Sequence, residues 1–398
     1  MRRSLPPGQW VPIPPIPGIP DALREEGAHL PHPLPSDLVL PVATYRLAAE
    51  TEHWLGRLDE AANRLGVRDG LVRATQVRDA QSSAGLAGKM VGLRRAFVAD
   101  LFASSGRSPE DVAADGADES DASRRIAPFL MAYDHGLRRV REGAPVDGRV
   151  LAEMSAIMTG RPAHPVEEML RKEHGWLGRS PEQAYLLTAV GAHLPALLEQ
   201  WSTWVRDRSD QPRSVKMGIA HFQIEVVQPF PAANGHVARS FSMVELVRSG
   251  LLGDQILPLS VWLDDNLDDY QERIRAVVDT RLIHHWVEFY LTALRDQARA
   301  QLRLIAALED TAAAFTARLS GSGTRQGVAA DVVRRLVGFP VTSHAALREH
   351  YGITLKAATN ATQRLCDLGI LTRWESRSYR QVFLCEPVLD LLSLNFEG

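Results

Sequence analysis

Cysteine is nearly absent from this 398-residue sequence: Cys366 and Cys385 are the only two, both near the C-terminus and outside any CxxC spacing. Neither a disulfide framework nor a cysteine-rich zinc site can be built from them, and a reducing cytoplasm fits that usage. Long apolar runs are missing as well. No stretch reaches the length of a membrane span, and Met1-Arg2-Arg3 leads into Leu-Pro-Pro-Gly instead of an apolar segment, so neither a span nor a signal peptide is expected. The formal net charge is only −3, which argues against broad electrostatic binding of nucleic acid and leaves room only for a local basic patch. Lysine is scarce, four against 41 arginines, a bias to which we attach no function. What is present is 45% hydrophobic and 23% charged residues over a length that accommodates two or three domains with their own cores.

Proline is concentrated at one end: eleven of the 24 lie within the first 41 residues. That density predicts an extended, polyproline-like arm without helix. The arm reads either as a ligand for a proline-binding partner or, better, as a strap across its own domain anchored by Trp10, Ile13, Ile16 and Ile19 at intervals of three. Beyond it the pattern is helical. Residues 43–65 form an amphipathic helix stopped by Gly66, and residues 94–104 form another. From Ile126 helical periodicity dominates to about Leu319, interrupted by one hairpin around 173–187. The longest periodic segment, 291–319, ends in Ser-Gly-Ser-Gly, a linker composition. Three short helices and two alternating segments then suggest a winged helix, with 354–368 as the recognition-type helix. The expected organisation is a proline-rich arm (1–41), an N-terminal helical region (42–125), a helical core (126–319), a linker (320–328) and a winged-helix domain (329–398). From Arg325 onward Lys/Arg exceed Asp/Glu by only two, so this last module suits a protein contact at least as well as DNA.

The most informative stretch is 220–241, AHFQIEVVQPFPAANGHVARSF. Apolar positions lead to a Pro-Phe turn, two small residues follow, and Asn234-Gly235 opens a new helix. Such an opening is an anion site on physical grounds, because unpaired N–H groups and the helix dipole face whatever negative group arrives.

At this point the sequence resembles the Fic (Fido) family, whose members carry AH-x-x-FE-x-IHPF-x-(D/E)-GNGR-x-x-R and transfer AMP from ATP to a protein hydroxyl. The segment 171–178 (RKEHGWLG) is similar to the family's flap region, with Arg171 and Trp176 either lining the flap or holding its base. Residues 256–294 follow the family's helices after the motif, and both terminal extensions look like those of larger members. The resemblance implies a mainly α fold: a Fic/Fido helical core with a small β-hairpin flap and a C-terminal winged helix.

The departures bear directly on chemistry. Gln228 stands where the family has its catalytic His, and a carboxamide cannot take a proton near neutral pH. Ala232 replaces the carboxylate that binds Mg²⁺, so no Mg²⁺ is expected and no metal ligand is assigned. Ala233 replaces a Gly, and His236 replaces the first Arg. Asn234, Gly235 and Arg239 remain. In the region of the family's inhibitory Ser-x-x-x-Glu-Gly helix the chain reads Ser82-Ser83-Ala84-Gly85-Leu86-Ala87-Gly88, without a carboxylate. This fits either a protein that does not use ATP in the usual way or an enzyme freed of its brake, though the latter conflicts with Gln228 and Ala232.

The resemblance therefore assigns Gln228 and His236 to the catalytic positions, with His236 as the candidate acid or base. Asn234, Gly235, Ala233 and Arg239 fall at the ligand phosphates. His221 and Glu225 read as scaffold, and His284, His285 and Glu288 as part of a core helix, not a metal site. Tyr270 is retained, but Leu267 and Gln271 replace its neighbours, which puts purine contacts there in doubt. The expectation is a cytoplasmic, diverged Fic-fold protein that binds a nucleotide or other anionic small molecule and has lost ordinary Mg²⁺-dependent AMP transfer. Altered chemistry on that fold, a protein target, or DNA regulation through the winged helix are the alternatives.

Overall fold

The computed structural model describes residues 3–105, 117–162, 164–189, 193–322, 327–374 and 381–394. The proline-rich arm is less uniform than its composition predicts. It contains β1 (Gln9–Val11), α1 (Asp21–Glu26) and β2 (Ala28–Leu30). The helix occupies DALREE, a proline-free island: Pro20 precedes it with φ −57°, already set for a helix start, and Gly27 ends it at φ 91°. Ile13 and Ile16 are half-buried against the core and Ile19 is buried, whereas Trp10 is 40% exposed, with the Arg275 guanidinium 5.8 Å from its ring centre.

Four helices follow the arm and build its support: α2 (Val42–Arg64), α3 (Arg68–Leu86), α4 (Leu93–Ser104) and α5 (Ala117–Arg141). α3 is buried on nearly every side, which is why no amphipathic period announces it. After α6 (Gly148–Thr159) and the short α7 (Val166–Met169) come β3 (Gly175–Leu177) and β4 (Leu186–Thr188). They pair antiparallel, Trp176 opposite Leu187, as the hairpin signal predicts. The arm extends this hairpin into a four-stranded sheet in the order β1-β2-β4-β3, with β2 parallel to β4 at His29 and Thr188. A three-residue strand cannot be stable alone, so only the tertiary partner makes β1 and β2 strands.

The central layer is α8 (His193–Arg206), α9 (Arg213–Val227) and α10 (Asn234–Arg248), backed by α11 (Leu259–Asp265), α12 (Leu267–Thr280) and α13 (Ile283–Gly321). α13 begins eight residues before the segment that periodicity marks out, and α2 packs along it. Trp286, Tyr290, Phe230 and Phe241 are wholly buried between these helices. The indole N–H of Trp286 donates to the Gly218 carbonyl at 2.7 Å, and that of Trp201 to Ala220 at 3.0 Å, so the large rings bring no unpaired donor into the core.

The C-terminal module runs α14 (Gly327–Leu336), β5 (Val341–Ser343), α15 (His344–Tyr351), α16 (Leu355–Asp367), β6 (Thr372–Arg373), β7 (Val382–Leu384) and α17 (Glu386–Ser393), with sheet order β5-β7-β6. Arg377 and Arg380 of the expected wing lie outside the described residues, as does most of the acidic segment 106–116. The module is not tethered loosely. Its apolar residues share a core with Phe97, Phe102, Phe315 and Leu319, and Arg94 pairs with Glu386 and Asp390 at 2.8 and 2.7 Å. Among the described residues no helix is long and apolar enough to cross a membrane.

Candidate functional site

The loop between α9 and α10 is shaped by two residues in left-handed conformation. Gln228 (φ 43°) ends α9, its N–H bonded to the Ile224 carbonyl at 3.0 Å, and Ala233 (φ 61°) immediately precedes α10. For a residue with a Cβ that conformation costs about 1–2 kcal/mol. It is repaid by tertiary fixation: Phe230 is wholly buried, and Asn234 clamps the loop by accepting from the Phe230 N–H at 2.8 Å and donating to its carbonyl at 2.6 Å. The Asn234 amide, expected at the ligand, is thus spent on the loop. What the clamp delivers is backbone. The N–H groups of Asn234, Gly235 and His236 open α10 and have no acceptor within the helix.

Arg171 is a strut. Its Nε donates to the Gln228 carbonyl at 2.5 Å, Nη1 to Glu173 at 2.6 Å, and Nη2 to Ala189 at 2.6 Å and Val227 at 3.2 Å, while its own N–H meets the Pro229 carbonyl at 3.0 Å. One buried guanidinium therefore fixes the flap base to the catalytic-type loop from both sides. Burial pushes its pKa down to about 10, leaving it charged at neutral pH. Of the two uses the sequence left open for it, holding the flap base is the one its hydrogen bonds serve. Trp176 stays half-buried on β3, facing the cleft.

Arg239 and His236, one turn apart on α10, meet a residue that sequence reasoning passed over: Ser83 of α3. Arg239 Nε donates to Ser83 Oγ at 2.8 Å and Nη2 to the Ser83 carbonyl at 3.2 Å; His236 Nδ1 lies 2.6 Å from the same Oγ. Ser83 Oγ accepts from Arg239 Nε, and its bond to His236 Nδ1 runs in the direction set by the imidazole tautomer. Burial, then Arg239 and Lys89, hold His236 well below its ordinary pKa, and its ring stacks on Phe129 at 4.0 Å. Burial thus disfavours the charged imidazolium at His236, and its Nδ1 is engaged with Ser83.

All eight residues singled out from the sequence, Gln228, His236, Asn234, Gly235, Ala233, Arg239, Arg171 and Trp176, border one cleft of about 670 Å³ between the flap, the loop and α12. The space at Gly235 is tight: a Cβ would stand 3.0 Å from Arg239 Nη1 and 3.5 Å from Glu225 Oε1, so the guanidinium would have to shift to admit it. The carboxyls nearest Arg239 are themselves pushed up by burial, Glu225 and Asp79 in the core and Asp264 at the edge. Glu225 Oε2 has no hydrogen-bond partner among the described residues. His221 lies beneath the site as scaffold, Nδ1 against Ser242 at 2.8 Å and Nε2 against Tyr270 at 3.1 Å, its pKa lowered to about 3 chiefly by burial. Glu288 accepts from Thr44 at 2.6 Å, which ties it into the α2–α13 packing. The signal that could have found Ser83 was its place in the stretch matched to the inhibitory helix, where only the missing carboxylate drew notice.

No family model matches the chain. Solved structures do. A Fic family protein from Desulfovibrio desulfuricans G20 superposes with a TM-score of 0.55 at 18% identity, over 92% of this chain and 99% of the other. Fic-1 of C. elegans gives 0.46 at 17% identity over 68% of this chain and 75% of its own, and a Fic domain containing signaling protein from Bacteroides thetaiotaomicron gives 0.45 at 13%, over 65% and 95%. The first of these spans both chains nearly end to end. This chain is a Fic-fold protein.

Proposed function

We propose that this protein binds a phosphate-bearing or other anionic small molecule in the cleft at the start of α10, without Mg²⁺, and does not carry out ordinary protein AMP transfer. The observation that carries this reading is Arg239: a guanidinium buried to 4% exposure beside a helix N-terminus, held by two neutral oxygens of one serine and not by a carboxylate. Buried cations are ordinarily paired. Burial raises the pKa of Glu225, Asp79 and Asp264 and so lessens their compensation of Arg239, the α10 dipole adds positive potential to the cleft, and an anion would complete it.

The chemistry of AMP transfer finds no support in the same residues. Gln228 offers an amide where a base is needed, and the two remaining nitrogens of interest are engaged, His236 Nδ1 by Ser83 and the Asn234 amide by Phe230. The Mg²⁺ ion that the fold implies does not suit this donor set. Ala232 presents a methyl, and the cleft's buried carboxyl, Glu225, is driven toward protonation.

Thermal shift and calorimetry with inorganic pyrophosphate, nucleoside mono-, di- and triphosphates and sugar nucleotides, each with and without Mg²⁺, test the reading. Magnesium-independent stabilisation is expected, and Arg239→Ala should weaken that binding by roughly 1.5–3 kcal/mol, the scale of a charged hydrogen bond. Binding that requires Mg²⁺, or an Arg239→Ala variant with unchanged affinity, overturns it.

A further inference from the structure

The C-terminal module carries a surface that the cleft does not explain. Its order of helix, strand, two helices and two antiparallel strands is the layout in which the third helix enters a DNA major groove. That helix is α16. Ala358, Ala361, Thr362 and Leu365 bury its inner face, and Leu355, Lys356, Thr359, Asn360 and Gln363 form a continuous exposed strip on the other. We propose that this strip reads duplex DNA through the major groove, Asn360 at an adenine edge and Leu355 at a thymine methyl.

Three observations support DNA over a protein partner. The strip's polar members are mostly amides and hydroxyls, the groups that both donate and accept on base edges, where a merely solvated helix face would be rich in charges of both signs. Its one large apolar residue, Leu355, is 54% exposed at the first turn of the helix, the part that contacts bases, and one residue is too little for a protein-docking patch. Exposed cations accompany the strip, Lys356 within it, Arg373 on β6 joined to it through Gln363 and Arg348 exposed on α15, and residues 344–373 hold four Lys/Arg against two Asp/Glu. The exposed carboxylate of the helix, Asp367, lies at its far end and is engaged. It accepts from Gln363 Nε2 at 2.7 Å, while Arg373 Nη2 donates to Gln363 Oε1 at 2.7 Å, so one chain of hydrogen bonds fixes Gln363 and blunts the acid. Thr354 caps α16 by accepting from the Ala357 N–H at 3.2 Å, leaving the remaining first-turn N–H groups for a phosphate.

The test uses the full chain and a random-sequence duplex pool of about two helical turns, with selection followed by fluorescence anisotropy at several salt concentrations. Selected sites should contain A·T pairs. If Arg348, Lys356 and Arg373 each meet a phosphate, log affinity should fall with log salt at a slope of about −3, and Lys356→Ala should reduce that slope by about one for every sequence. Asn360→Ala should weaken the selected site by about 5- to 150-fold while leaving the unselected pool unchanged. Both positions are exposed, so unaltered melting temperatures separate these losses from misfolding. Absence of salt-dependent binding at about 100 µM protein, or binding indifferent to both substitutions, overturns the proposal and leaves the strip to a protein partner. Neither outcome touches the anion reading of the cleft, which rests on other residues.

Discussion

Removing one hydroxyl, by Ser83→Ala, should unsettle both polar residues of the site at once. Ser83 Oγ accepts from Arg239 Nε at 2.8 Å and shares a hydrogen bond with His236 Nδ1 at 2.6 Å, all inside the protein. The variant leaves a charged N–H without its acceptor, a loss of about 1.5–3 kcal/mol, and an imidazole nitrogen without its partner, about 0.5–1.5 kcal/mol. Net destabilisation of about 2–4 kcal/mol follows, because the Ser83 carbonyl still takes Arg239 Nη2. For a cooperative unit of this size that lowers the melting temperature by roughly 2–5 °C. The informative step is to repeat the melt with inorganic pyrophosphate. An anion that meets Arg239 supplies the lost acceptor, so pyrophosphate should raise the variant's melting temperature by more than the wild type's. Two results refute the reasoning: a variant that melts within a degree of wild type, or anion stabilisation that is equal in both proteins.

Three further outcomes follow from the same geometry. Gln228→His alone should not restore protein labelling from ATP and Mg²⁺, because the base without a metal carboxylate lacks charge neutralisation at the leaving phosphates; the pair Gln228→His and Ala232→Asp is required, and robust labelling by the single variant contradicts this. Arg171→Lys should cost about 2–4 kcal/mol in chemical denaturation, since an ammonium cannot span the carbonyls of Gln228, Val227, Glu173 and Ala189 together; near-wild-type stability would show that the flap is held otherwise. For pH, His221 is neutral in the fold, with a pKa lowered from 6.5 to about 3, so its contribution is complete above 6.5 and is lost as pH falls toward 3. At pH 5 the unfolded state gains about 2 kcal/mol from protonating this residue alone, and a His221→Gln variant should show a correspondingly flatter stability profile between pH 7 and 5.

What could be read from the sequence, and what could not, divides along a physical line. α2 and the hairpin were legible because a half-buried element prints its period on the chain: α2 buries Ala48, Leu55, Leu58 and Ala62 along one stripe. α3 was not, since burial on every side erases the period, and β1 and β2 were not, since three residues become a strand only when a partner is already there. The site divides the same way. The chemical types at 228, 232, 236 and 239 follow from the chain, and so does their convergence on one cleft, because a loop feeding a helix start brings neighbours in sequence together in space. Which of their hydrogen bonds are still open does not follow, because the partners that close them come from 153 and 156 residues away in the case of Ser83, or from a reciprocal loop clamp in the case of Asn234. That is why Asn234 reads as a ligand contact in the sequence and as a fastener in the fold. It is also why Arg239 gains weight in the fold: its hydrogen bonds go to a neutral serine, and burial raises the pKa of Glu225, which weakens the compensation that carboxyl gives.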